Sequence, residues 1–113
     1  MNYTKDQIVA IVAEAKQAAH EAATKFFQEK LGGQDQYCCG FAWVEIYGIK
    51  GNTKLGKTMK AAGLEKNYTG AFSIWNPSGM GCQNVDTLEE GARAAAKVFE
   101  KYGFRAYSGS RLD

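Results

Sequence analysis

The chain has 113 residues, 45% of them apolar and 23% charged, and its 14 basic and 12 acidic side chains leave a formal net charge of +2. That length implies one domain, residues 1–113, with a single core, and so mild a charge does not by itself predict duplex nucleic-acid binding. There is no charged-then-apolar leader and no apolar run near bilayer length, so a soluble, intracellular protein with no membrane partner is expected.

Thr4 and Gln7 stand at capping-box spacing. Behind them Ile8, Ile11, Val12, Ala15, Ala18, Ala19, Ala22 and Phe26 recur at helical intervals up to Gly32-Gly33. The pattern predicts a long amphipathic helix with an alanine seam, narrow enough for close approach by a sheet of the same chain or by a second subunit. Tyr37 to Tyr47 reads as a strand that is apolar on both faces. Cys38, Ala42, Val44 and Ile46 share one face, and Phe41, Trp43 and Tyr47 share the other. A strand wet on one side would not carry that second set. Either helices cover both faces, or one face meets a subunit or a ligand.

Gly51-Asn52-Thr53-Lys54-Leu55-Gly56-Lys57-Thr58 spells G-x-x-x-x-G-K-[ST], the phosphate-cradling pattern in which backbone amides and a lysine converge on phosphate oxygens. A nucleotide-hydrolysing fold also needs a parallel sheet and an Asp at the end of a second apolar strand. No such Asp is present: Asp6 opens a helix, Asp35 and Asp86 sit in polar turns, and Asp113 is terminal. The segment therefore reads as an anion-presenting loop or a plain Gly/Lys turn, and an enzyme is not expected. Lys54 to Ala62 follows as a short basic helix, with Leu55, Met59 and Ala62 on its apolar side and Gly63 as its stop. Lys50, Lys54, Lys57 and Lys60 form a cluster free of acids.

Ala71 to Trp75 is a second predicted strand. Asn76-Pro77-Ser78-Gly79-Met80-Gly81 is turn chemistry, with a short returning strand at Cys82 to Val85 as one option. Thr87 and Glu90 suggest a second capping box, before a helix lined by Leu88, Ala92, Ala95, Val98, Phe99 and Tyr102. Gly103 ends that helix, and Phe104 to Tyr107 makes a last strand before a polar end. This order predicts an α+β domain: a small, mostly antiparallel sheet, two long helices on one face and a short basic helix.

Catalytic chemistry is poorly supplied. His20 is the only histidine and reads as a surface imidazole, and Cys38, Cys39 and Cys82 lack any metal-ligand spacing and read as reduced, partly buried thiols. No metal or cofactor is implied. Glu45, on an apolar strand, needs a partner such as a lysine. Ligand binding is better supplied. Trp75 at a strand end can stack a base. Asn76, Ser78, Gln83, Asn84 and Asp86 offer donors and acceptors, and Lys54, Lys57 and Arg111 offer charge for phosphates. Trp43 reads equally well as core.

Cys39-Gly40-Phe41-Ala42-Trp43-Val44, Ile74-Trp75-Asn76-Pro77-Ser78-Gly79, the alanine-rich helix, Gly103-Phe104-Arg105-Ala106-Tyr107 and the terminal Arg111-Leu112-Asp113 together resemble a small family of bacteriophage proteins. Among phage families with a known role, the likeness is to the first type of Thoeris anti-defence protein. The resemblance implies a non-enzymatic, homo-oligomeric α+β sponge in the host cytoplasm. Such a sponge sequesters cyclic ADP-ribose signals, and some members also bind cyclic oligonucleotides. On that reading Trp75 stacks the base, Lys54, Lys57 and Arg111 meet phosphates, and Asn76, Asn84 and Asp86 read polar edges. The alternatives are a P-loop-like nucleotide-dependent enzyme, a nucleic-acid-binding accessory of phage replication, and a scaffold without a small ligand.

Overall fold

Thr4 begins the first helix as expected: its hydroxyl accepts from the Gln7 amide, and the Gln7 side chain accepts from the Thr4 amide. In the computed structural model, which describes residues 2–34, 38–81 and 84–112, α1 runs Lys5–Leu31 and closes on Gly32 in the left-handed region. The other elements follow as β1 (Gly40–Tyr47), α2 (Lys54–Ala61), β2 (Glu65–Lys66), β3 (Phe72–Trp75), α3 (Val85–Lys101) and β4 (Arg105–Leu112).

The strands form a four-stranded sheet in the order β2-β3-β1-β4, and every neighbouring pair is antiparallel. It follows that β1 and β2 run parallel with β3 between them, joined through α2. In the same way β3 and β4 run parallel with β1 between them, joined through α3. These are two interleaved split β-α-β units, with α1 added in front. The fold is α+β, and α1 and α3 pack on one face of the sheet.

The core lies between that face and the helices. Ala42, Val44 and Ile46 of β1, Phe72 of β3 and Ala106 of β4 point inward. Val44, Ile46, Phe72 and Ala106 meet Ile8, Ile11, Ala15 and Ala19 of α1, Met59 of α2, and Ala95, Ala96, Val98 and Phe99 of α3, while Ala42 packs with Leu88 and Ala92 of α3 in a smaller cluster. The alanine seam is thus covered by the same chain. Gly91 of α3 sits where a Cβ would come within 3.1 Å of the Ala19 carbonyl oxygen and 2.9 Å of the Ser78 side chain, so the two helices cross nearly backbone to backbone. His20 is exposed, as expected, and its Nδ1 donates to the Ser78 carbonyl at 3.0 Å, tying the 76–80 turn to α1.

Six boundaries and environments differ from the sequence reading. β1 begins at Gly40 rather than at Tyr37, which lies outside the described residues. β2 was not foreseen, because two exposed residues carry no alternation. Val85 opens α3 instead of ending a returning strand, and Cys82 and Gln83 lie outside the described residues. The cap of α3 is Asn84, whose side-chain oxygen accepts from both the Thr87 amide and the Thr87 hydroxyl, so Thr87 is buried one turn inside. β4 continues to Leu112, pairing the supposed polar end with β1 residue by residue. Cys38 and Cys39 are exposed free thiols, not partly buried ones.

Candidate functional site

Alternation along β1 sends Phe41, Trp43, Glu45 and Tyr47 to the face that no helix covers. The register sets Trp75 of β3 opposite Trp43, and Ser73 opposite Glu45. On the other flank β4 places Arg111 beside Phe41, Gly109 beside Trp43, Tyr107 beside Glu45 and Arg105 beside Tyr47. The result is an open aromatic sheet face. The Trp43 and Trp75 indoles lie parallel, 5.5 Å apart at 3°, and Phe41 tilts against Trp75 at 5.4 Å. Tyr107 meets Tyr47 edge-on at 5.7 Å. Gly109 makes this possible, since a Cβ there would lie 2.5 Å from the Trp43 ring.

Glu45 anchors the middle of the face without a lysine. Its Oε1 accepts from the Trp43 indole N–H at 2.9 Å and from Asn67 Nδ2 at 3.3 Å, while Oε2 accepts from the Tyr47 hydroxyl. That bond to a carboxylate holds the Tyr47 phenol above the ordinary tyrosine pKa. Asn67 is itself fixed by the β2–β3 turn, where its Oδ1 accepts from the amides of Thr69 and Ala71. Trp43, Glu45, Asn67, Tyr68, Ser73, Trp75 and Arg111 line a pocket of about 290 Å³ on this face, near the lower end of small-molecule sites. Trp75 is 57% exposed there, and Tyr68 is fully exposed. The Arg111 guanidinium lies over the Phe41 ring at 5.3 Å and has no carboxylate partner among the described residues.

Of the residues offered in the sequence as ligand contacts, only Trp75 and Arg111 line this pocket, where they join Trp43 and Glu45. Lys54 lines a separate recess of about 130 Å³ with Asn2, Tyr3, Thr4, Leu55 and Thr58. Lys57 is exposed on α2, and Asp86 is exposed in the first turn of α3. Asn76 and Ser78 serve their own turn. Asn76, at φ 46°, donates to the Met80 carbonyl and accepts from the Ser78 hydroxyl, which in turn accepts from the Met80 amide. Asn84 is 1% exposed and caps α3. Neither Asn76, Ser78 nor Asn84 is presented to a ligand in this arrangement.

The P-loop pattern has a different physical cause. Thr53 is the N-cap of α2; its side chain accepts from the Gly56 amide and donates to the Lys50 carbonyl. Gly56-Lys57-Thr58 therefore lies inside the helix, and the Thr58 hydroxyl donates back to the Lys54 carbonyl at 2.9 Å. Gly56 is required because a Cβ would stand 2.1 Å from the Lys50 oxygen. The glycine seats a turn on a helix; it does not open a cradle for phosphate.

Sequence reasoning underrated Trp43 and passed over Asn67, Tyr68 and Ser73. The signal for Trp43 was present in the second apolar face of β1. The other three sit in a turn and a short strand whose position depends on the register. Among the described residues, no group of three His, Cys, Asp or Glu side chains is placed to hold a metal ion, and no helix is long and apolar enough to cross a membrane. No protein-family model matches the chain, and neither a curated protein nor a solved structure matches it.

Proposed function

We propose that this protein binds a nucleotide by stacking its base on the open aromatic face of the sheet and releases it chemically unchanged. The observation that carries this reading is the parallel Trp43–Trp75 pair in one pocket with a hydrogen-bonded carboxylate and an arginine that has no carboxylate partner among the described residues. Flat aromatic faces offer every base a stacking surface. The charges on the face are balanced, Arg105 and Arg111 against Glu45 and Glu65, which suits a compact ligand better than a long polyanion. A small cyclic nucleotide of the cyclic ADP-ribose type meets that description. Sequestering such a signal, as the resemblance to phage anti-defence proteins suggests, needs capture without catalysis and a host-cytoplasmic setting. The alanine seam being covered within the chain, any homo-oligomer would form through other surfaces.

A second reading, single-stranded nucleic acid, is favoured by one feature: the outward aromatics extend along β1 from Phe41 to Tyr47, more surface than one base requires. Four-stranded sheets with aromatics on their central strands bind single strands in this way.

Titration with cyclic ADP-ribose isomers, cyclic dinucleotides, mononucleotides and short oligonucleotides, followed by tryptophan fluorescence, tests both readings. Quenching by a small nucleotide is expected, with Trp75→Ala weakening affinity by about 1–3 kcal/mol and mass spectrometry recovering the ligand intact. Recovery of a hydrolysed product would overturn the non-catalytic reading. Affinity that rises with strand length and falls steeply with salt would favour the nucleic-acid reading.

A further inference from the structure

The pocket is chemically polar along its length. At one end Arg111, paired in register with Phe41, holds a guanidinium over that ring with no carboxylate against it among the described residues. At the other end stands Glu45 of β1, four residues beyond Phe41, a backbone span of about 13 Å between those two positions at the usual rise of a β-strand. The two indoles lie between them. The Glu45 carboxylate offers roughly four lone-pair positions and gives three to Trp43, Asn67 and Tyr47. One acceptor position on Oε2 is left. Beside it Asn67 Nδ2 has used one of its two hydrogens on Glu45, and Ser73, the register partner of Glu45, lines the same pocket.

An anion cannot sit against Glu45 without repulsion, whereas an N–H donor can, and among the described residues the only cation lining the pocket is Arg111. We propose that the site binds a single nucleotide unit in one orientation: an N–H of the base edge donates to Glu45, the ring lies against Trp43 and Trp75, and a phosphate meets Arg111. This rests on the nucleotide-stacking reading above and adds ligand polarity to it. The pair Glu45 and Arg111 thereby select for a base and a phosphate in the same molecule. A bare phosphate lacks the stack, and a nucleoside lacks the anion.

The test compares AMP, GMP, CMP and UMP with their nucleosides on the wild-type chain and on Arg111→Ala, Glu45→Gln and Trp75→Ala. For the preferred base, the monophosphate should bind the wild type at least tenfold more tightly than the nucleoside. That gain should shrink with added salt and vanish in Arg111→Ala, with nucleoside affinity unchanged. Glu45→Gln should weaken nucleoside and nucleotide by the same factor, at least threefold. Should Glu45→Gln disturb the fold, a ligand whose base-edge nitrogen carries no hydrogen (methylated once at a ring N–H, twice at an exocyclic amine) lacks the same donor and should bind the wild type correspondingly more weakly. A nucleotide that binds tighter to Glu45→Gln, or loses nothing in Arg111→Ala, overturns the orientation. If Trp75→Ala still abolishes that binding, the stacking reading survives. If no nucleotide or nucleoside binds the wild type, both fall together.

Discussion

Gly109 is a single residue on which the aromatic face depends. It faces Trp43 across the β1–β4 ladder, and its missing side chain leaves the space the indole fills. Gly109→Ala should push the Trp43 ring off its stack with Trp75 and loosen its bond to Glu45. The expected cost is about 1–3 kcal/mol for overpacking, measured by urea unfolding, together with a changed tryptophan emission spectrum. An unaltered spectrum and stability would mean the ring adapts freely. Trp75 is the opposite case. Being largely exposed, its truncation should change binding far more than folding.

Between elements, the closest approach is that of α1 and α3. Alanine favours a helix over glycine by about 1 kcal/mol, yet Gly91→Ala places a methyl against the Ala19 carbonyl and Ser78. Crowding of about 1–3 kcal/mol should win, lowering the melting temperature; a rise would show that the helices separate easily. Nearer the N-terminus of α1, Glu14 ties that helix to the C-terminal end of α3. It accepts from Lys101 Nζ and, at 2.5 Å, from the Tyr102 hydroxyl. The Lys101 bond first, and the Tyr102 bond second, hold the Glu14 carboxyl below its ordinary pKa. A lowered folded-state pKa stabilises above the unfolded value of 4.5 and is lost as pH falls through the folded value. Glu14→Gln should therefore flatten the loss of stability below about pH 4.5, read from melting temperatures across an acid series. An identical acid limb in both proteins would remove Glu14 from that role. Lys101, raised chiefly by its bond to Glu14, keeps its contribution at neutral pH and loses it only in strong alkali.

At the scale of the molecule, one continuous core joins all three helices to the inner sheet face. Phe72 lies at its centre with no exposure, beside Ile46 in register on β1. Phe72→Ala should cost about 3–5 kcal/mol, a large share of the 5–15 kcal/mol that holds a typical domain folded. Because that core is shared, far-UV circular dichroism and tryptophan emission should report one coincident transition in denaturant. Separate transitions would divide the sheet from the helices.

Much of the fold is local and was legible. Capping chemistry and apolar period gave α1 and α2, alternation assigned the faces of β1 correctly from Phe41 to Tyr47 but not at Cys38, which lies outside the strand and is exposed, and the order of elements implied helices on one side of an antiparallel sheet. Individual candidate residues were less legible, because Asn, Ser, Lys and Gly have the same letters whether they cap, turn or bind. Asn84 became a cap, Asn76 and Ser78 a turn, and Gly56-Lys57-Thr58 a helix interior. The sequence by itself determined that β1 carries an aromatic row beyond what its core face needs. Only the tertiary structure decided that Trp75, Arg111, Glu45 and Asn67 gather around that row. Residues 43, 67, 75 and 111 are far apart in the chain, and they meet through strand register, which long-range pairing of the whole sheet sets.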